Sequence, residues 1–245
     1  MHDNYIQRLM KIAIVQPHYL PWYGYFGLIE NVDIFVLLND VQFQKRSWQN
    51  RNYIKSGDKK LLLTVDVISK NKFEQSIMDV EINNFREIAK KHLRAFELNY
   101  KKTKFFNDYF LDLKSIYLND YKKLSNLNED IIKKISNLLG IKTKIITSSS
   151  LNIKTLELTK DFYLFKICEK LSASTIINPQ GSEIYMSKSK IFLDKSIKVK
   201  YYKMNDFSYV QTNENFISKL SILDILFNEG IKSIDIIKKN FLIYE

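Results

Sequence analysis

The densest run of side chains able to do chemistry lies between residues 16 and 52. Gln16 closes one apolar run, Asn39 and Asp40 close a second, and the segment QFQKRSWQNRN follows at 42–52. An aspartate can hold an ammonium or take its proton, and side-chain amides can donate to a developing oxyanion. Arg46 and Arg51 are interleaved here with Lys45, Trp48, Asn50 and Asn52. Guanidinium forks grip carboxylate or phosphate, and an indole offers a flat face to a sugar, a base or an acyl arm. The segment therefore reads as an anion-binding loop. The alternative is a surface loop whose arginines pair with Asp33, Asp40 or Asp58.

The histidines are His2, His18 and His92. A three-histidine metal site would have to draw on the N-terminal tail, so no metal is expected. His18 lies in the turn after the first apolar run, where it is either a general base or a hydrogen-bonded turn residue. His92, among Lys90, Lys91 and Arg94, reads as part of a solvated helical face. Cys168 has Leu164, Phe165, Ile167 and Leu171 around it and reads as a small buried hydrophobe rather than a nucleophile. A second loop, PQGSEIY at 179–185, contains Ser182 and Tyr185, and its glycine permits close backbone approach to a ligand. It matches neither a Walker loop nor a dinucleotide fingerprint. The serines at 148–150 read as a cap on the segment that follows.

These residues need elements to position them. Residues 11–16 (KIAIVQ) form a buried strand, and Pro17 and Pro21 force a turn. Trp22, Phe26 and Ile29 recur at helical spacing, and 34–39 (IFVLLN) is a second strand. Strand, helix, strand predicts a right-handed βαβ unit with Gln16 and Asp40 on the same side. Residues 46–58 read as polar and irregular, and 60–67 as a third, antiparallel strand. Residues 86–139 carry three helical stripes, 142–147 a strand, 158–171 a helix and 175–177 a short strand. Residues 199–202 read as another edge strand, and 220–228 as the final helix, stopped by Gly230. The fold class is α/β: a mixed, mostly parallel sheet with flanking helices and a helical insertion around residues 84–140. Residues 10–245 read as a single domain, and 1–9 as a loose N-terminal extension, with Met10 as an alternative start.

The chain has 245 residues, 45% of them hydrophobic, enough to bury a full core. Its single cysteine excludes an internal disulfide. No apolar run is long enough to span a bilayer and no signal peptide is evident, so a soluble, cytoplasmic protein is expected. The net charge is +11. Most of that excess is lysine spread over every helix, as a drift toward AT-rich codons produces. The placement of the few arginines is more telling. A basic balance also suits an anionic substrate, an acidic partner protein, nucleic acid or a membrane surface.

KIAIVQPHYLPWYGYF at 11–26, the strand segment 33–40 and VQFQKRSWQNRN at 41–52 together resemble the WbqC-like family. Further matches are 92–100, Phe105 and Phe106, 181–185, 209–211 and LSILDILFNEG at 220–230, so the resemblance covers about residues 10–230. It points to Gln16, Pro21, Gly24, Tyr25, Asp40, Lys45, Arg46, Asn50, Arg51 and Asn52, with His92 and Tyr185 more distant in sequence. His18 falls in a variable part of the motif, and the Pro179 and Gln180 approach departs from the family's glycine-rich form. The family occurs among bacterial surface-polysaccharide and modified-sugar biosynthesis genes.

The resemblance implies an enzyme, an acyl- or aminoacyltransferase placing an acyl group on the amine of a nucleotide-linked amino sugar. The donor would be a phosphopantetheine-linked thioester on an acidic acyl carrier protein, with no other cofactor. His92, Asp40 or His18 would act as the base. Gln16, Asn50 and Asn52 would supply oxyanion donors, with Tyr25, Lys45, Arg46, Trp48, Arg51, Ser182 and Tyr185 completing substrate binding. A glycosyltransferase would use the same arginines on a diphosphate, although Asp33 and Asp40 do not form the Asp-x-Asp pair of metal-dependent forms. A nucleic-acid-binding module would share the mix of basic and aromatic residues, but the lysines form no single stripe. A scaffold without a small ligand is the remaining alternative.

Overall fold

The computed structural model describes residues 9–70, 72, 74–154, 158–194 and 197–245; the expected N-terminal extension lies, apart from Leu9, outside them. The apolar runs become strands β1 (Lys11–Val15) and β2 (Ile34–Leu37), joined by α1 (Tyr23–Glu30), and the two strands pair in parallel. Residues 23–29 of α1 are all buried, as in a helix enclosed on every side.

The chain leaves the sheet after β2. It makes a hairpin, β3 (Arg51–Ser56) and β4 (Lys59–Thr64), and then three helices, α2 (Phe85–Tyr100), α3 (Phe106–Tyr117) and α4 (Leu124–Leu138). It returns as β5 (Lys144–Thr147), α5 (Lys160–Lys170) and β6 (Thr175–Pro179). Two short helices, α6 (Glu183–Met186) and α7 (Lys190–Asp194), precede β7 (Lys198–Met204). The described chain closes with α8 (Ile222–Glu229), α9 (Lys232–Lys239) and β8 (Phe241–Tyr244).

Among the described residues the main sheet runs β5-β2-β1-β6-β7-β8, parallel except for β8. Numbered along the chain within this sheet, that is the order 3-2-1-4-5-6 of a doubly wound sheet, whose ligand crevice lies outside the carboxyl ends of the strands. The α/β expectation and the helical insertion are both found. Side chains alternate across β1: Ala13 joins the core formed with α1, the insertion and α8, while Ile12 and Ile14 join the core under α5.

Four local expectations need correction. Residues 46–58 are not wholly irregular, because 51–56 form β3. The turn of this hairpin is Gly57 and Asp58, with Gly57 at φ 58° in the first central position that only glycine occupies cheaply. The hairpin stands apart from the main sheet, so 60–67 does not add a strand there. The strand at 199–202 is interior, because β8 pairs outside it, and α8 is followed by α9 and β8.

A buried polar cluster fastens α8 to the hairpin. Asp224 is fully buried and accepts hydrogen bonds from the Tyr100 hydroxyl at 2.9 Å and from the Tyr209 hydroxyl and Gln211 Nε2 at 2.7 Å each. Lys55, 1% exposed, donates from Nζ to Gln211 Oε1 at 3.0 Å and to the Asn215 carbonyl. Desolvation raises the Asp224 pKa, against the pull of its three donors and of Lys55. Asp224→Ala leaves these donors and the Lys55 charge uncompensated in the interior. A loss of about 3–5 kcal/mol is expected, read as a lower urea midpoint; a midpoint within error of the parent would show that the cluster holds nothing together.

Candidate functional site

The loop leaving β1 is short of its own donors, because Pro17 and Pro21 carry no N–H. Groups from four other elements serve its carbonyls. The Tyr25 hydroxyl donates to the Gln16 carbonyl at 3.0 Å and Asn128 Nδ2 of α4 to the Pro17 carbonyl at 3.1 Å. Asn52 Nδ2 of β3 donates to the Leu20 carbonyl at 2.7 Å, and the Ile222 N–H of α8 to the Pro21 carbonyl at 2.8 Å. Asn128 Nδ2 also reaches the Gln49 carbonyl at 2.8 Å, and the Tyr19 N–H donates to the Trp48 carbonyl at 2.9 Å. The 42–52 loop is thereby clamped beside the 16–22 loop. Leu20, at φ 44° and 1% exposed, sits in the left-handed region that this arrangement imposes.

A cleft of about 520 Å³ opens on one side of these loops, with Gln16, Asp40, Gln42, Gln44, Lys160 and Tyr163 as its polar lining and Leu38, Val41, Leu158 and Leu164 as its apolar wall. It lies at the carboxyl ends of β1 and β2, against the start of α5. The Asp40 carboxylate is held at both oxygens, by the Ser148 hydroxyl on Oδ1 and the Tyr163 hydroxyl on Oδ2, each at 2.6 Å. Ser148 is fully buried and also receives the Asn39 N–H at 3.1 Å, so the carboxylate is tied to the end of β5. Burial and Asp40 both raise the Tyr163 pKa, which keeps its proton on the hydroxyl. Gln49 Nε2 donates to Gln16 Oε1 at 2.9 Å. With its oxygen so engaged, Gln16 turns its amide donors away from Gln49. Lys160 Nζ lies 4.1 Å from the centroid of the Tyr185 ring, which brings the 179–185 loop to the rim of the cleft.

A second cavity of about 280 Å³ is lined by His18, Trp22, Trp48, Asn52 and Lys219. Desolvation lowers the His18 pKa to about 4, so the imidazole is neutral at ordinary pH. Its ring packs on Tyr25, with centroids 5.3 Å apart. The Asn52 amide is committed to the Leu20 carbonyl and to the Tyr53 N–H, so it is structural.

The expected site residues divide accordingly. Gln16 and Asp40 meet in the polar cleft, and His18, Trp48 and Asn52 in the second cavity. Tyr25 supports both from beneath. Asn50 is buried, donating to the Val65 carbonyl at 3.0 Å. Arg51 donates to the Arg46 carbonyl and closes its own loop, while Lys45 and Arg46 are exposed. Neither cleft has Arg46 or Arg51 among its described lining residues. Ser182 donates to the Pro179 carbonyl at 2.7 Å and shapes the loop that carries Tyr185. Cys168 is fully buried, its pKa pushed up to about 12 by desolvation.

His92 does not lie on a solvated face. It is 1% exposed, on the stripe of α2 that buries Ile88, Phe96 and Tyr100, and its Nδ1 lies 2.7 Å from the Tyr19 hydroxyl, which in turn lies 2.6 Å from that of Tyr117. Its position is beneath the 16–22 loop, where it supports Tyr19. The sequence assigns no individual site role to Gln49, which it places only within the 42–52 segment, or to Ser148, which it reads as a cap, and it does not single out Asn128, Tyr163, Lys160 or Lys219. Asn128 could have been found as the one amide in the buried stripe of α4, and Asp224 as the acid inside LSILDILF.

The WbqC-like protein family model matches residues 16–236. The chain belongs to this family. It is also similar to the uncharacterized protein Rv1507c of Mycobacterium tuberculosis, at 34% identity over 232 residues, 94% of this chain and 98% of that protein. No solved structure matches it significantly. Every residue lining the two cavities of this WbqC-like chain falls within the family match.

Burial lowers the pKa of His92, like that of His18, to about 4 from 6.5. The unfolded chain therefore binds protons that the folded chain refuses between pH 6.5 and about 4. Stability is full above that window and falls as pH drops through it, by about 2 kcal/mol per histidine at pH 5. Urea unfolding at pH 7 and pH 5 measures this. His92→Gln is expected to shrink the difference; a pH-independent midpoint would mean that neither imidazole is kept neutral by the fold.

Proposed function

We propose that this WbqC-like protein is an acyl- or aminoacyltransferase that acylates the amine of a nucleotide-linked amino sugar in bacterial surface-polysaccharide biosynthesis. The observation that carries this reading is Asp40, a carboxylate anchored at both oxygens in a cleft that Gln16, Gln42 and Gln44 also line. A sugar ammonium is the natural partner of such a carboxylate, and the amides of Gln16, Gln42 and Gln44 suit sugar hydroxyls and a developing oxyanion.

In the proposed reaction the ammonium held at Asp40 first gives one proton to solvent at the cleft mouth, and the free amine attacks the carbonyl carbon of a thioester. The negative oxygen of the tetrahedral intermediate is met by the Gln16 amide. The nitrogen in that intermediate is far more acidic than a free ammonium, so Asp40 can take its proton. The carbon–sulfur bond then breaks, and the thiolate leaves with a proton returned from the carboxyl group. Tyr163 and Ser148 act as positioning residues. Lys45 and Arg46, exposed on the adjoining loop, suit approach by an acidic carrier protein or by the phosphates of a thioester donor. His92, beneath the loop, has a supporting role in this scheme.

Incubating the protein with a panel of nucleotide-linked amino sugars and either acyl-coenzyme A or loaded carrier protein, with mass-spectrometric detection of the N-acylated sugar, tests the proposal. Product is expected with at least one pair, and Asp40→Asn is expected to lower its rate about 100-fold or more. Tyr163→Phe should cost less, since Ser148 still holds the other oxygen. A complete panel without N-acylated product, or an Asp40→Asn variant with the parent's rate, would overturn it.

A further inference from the structure

The cavity lined by His18, Trp22, Trp48, Asn52 and Lys219 is left without an occupant by the acyl-transfer scheme. We infer that it is the nucleobase subsite of a nucleoside diphosphate, with Lys219 at its rim meeting the phosphates. The inference rests on the nucleotide-sugar reading above and deepens it by saying where the nucleotide lies.

Four features favour this occupant. First, the two indoles differ in freedom. A Cβ on residue 24 would lie 2.4 Å from Cζ2 of Trp22, so Gly24 lets that ring lie against the start of α1, with the Tyr23 ring 4.9 Å from it on one side. Trp48 is 49% exposed and meets only the edge of Tyr53 among described rings, at 6.1 Å. A fixed indole and an indole half exposed at a cavity mouth suit a planar ligand, because every base presents a π-face to an aromatic side chain.

Second, the His18 ring nitrogens have no hydrogen-bond partner among the described residues, and desolvation is the cause of its lowered pKa. A neutral imidazole keeps one donor and one acceptor to offer to a base edge or a ribose hydroxyl. Third, Lys219 is exposed at the rim and held at φ 57°, bringing one cation to a pocket otherwise lined by three aromatic rings and Asn52. Fourth, His18 in this cavity and Gln16 in the polar cleft are separated along the chain only by Pro17. A ligand with its base on one side of the 16–18 loop and its sugar on the other would cross that loop with its diphosphate. A phosphopantetheine arm would also bring a phosphate to Lys219, but it has no planar group to lie between two indoles.

The chain's only two tryptophans, Trp22 and Trp48, both line this cavity, so intrinsic fluorescence reports on it directly. Titration of the full-length protein with UDP, dTDP, GDP and CDP is expected to give saturable quenching with at least one, confirmed by calorimetry. Trp48→Leu, at an exposed position, is expected to raise the Kd about 10-fold. Lys219→Ala should raise it about 5-fold for the diphosphate and leave binding of the corresponding nucleoside unchanged. The inference is overturned if no diphosphate binds, if Trp48→Leu leaves the Kd as in the parent, or if S-acetyl-pantetheine saturates the cavity instead. Failure here is separable from failure of acyl transfer. Asp40-dependent acylation with no quenching would reject only the subsite, and Trp48-dependent nucleotide binding with no acylation would reject only the reaction.

Discussion

The carbonyls of the loop at 16–22 are the constraint around which this WbqC-like chain is arranged. Two prolines remove two of the loop's own donors, and a buried carbonyl left unpaired costs about 1–3 kcal/mol. The donors come from Tyr25 on α1, Asn128 on α4, Asn52 on β3 and the start of α8. Elements far apart in sequence are thus required at one place. The helical insertion and the hairpin, which add nothing to the main sheet, exist in part to deliver those donors. They also clamp the 42–52 loop beside the 16–22 loop, which is how a polar cleft and an aromatic cavity come to share one pair of loops.

The electrostatics of the two cavities follow from their walls. Asp40 lies at a strand end with hydroxyls on both oxygens, an arrangement that favours a cationic partner. His18 lies among aromatic rings that desolvate it and keep it neutral. Most of the chain's basic residues lie outside both cavities. Several exposed lysines form ordinary surface pairs, such as Lys72 with Glu81 and Lys238 with Glu30, whose individual contributions are small. Lys160 and Lys219 are the cations that do line the two cavities, and both lie outside the arginine-rich segment that dominates the sequence pattern.

Much of the sheet was legible because parallel strands buried on both faces read as continuous apolar runs, and the carboxyl-end rule then placed Gln16 and Asp40 together. The hairpin was missed because its first strand carries Arg51, Asn52, Lys55 and Ser56, and polar content outweighed the Gly57 turn signal. His92 was misplaced because its neighbours in sequence are basic, whereas its neighbours on the helix, Ile88 and Phe96, are apolar; period outranks local charge. The partners of Asp40 were illegible for a different reason. Ser148 and Tyr163 lie more than a hundred residues away in sequence, and no local pattern encodes which strand end faces which helix.

The most direct test of the account is a crystal structure of the protein with a nucleotide-linked amino sugar. The account predicts the sugar amine within hydrogen-bond distance of the Asp40 carboxylate, the base against Trp22 and Trp48, and the diphosphate crossing the loop at 16–18. A sugar nucleotide bound elsewhere, or bound with Asp40 still facing only Ser148, Tyr163 and water, would contradict it.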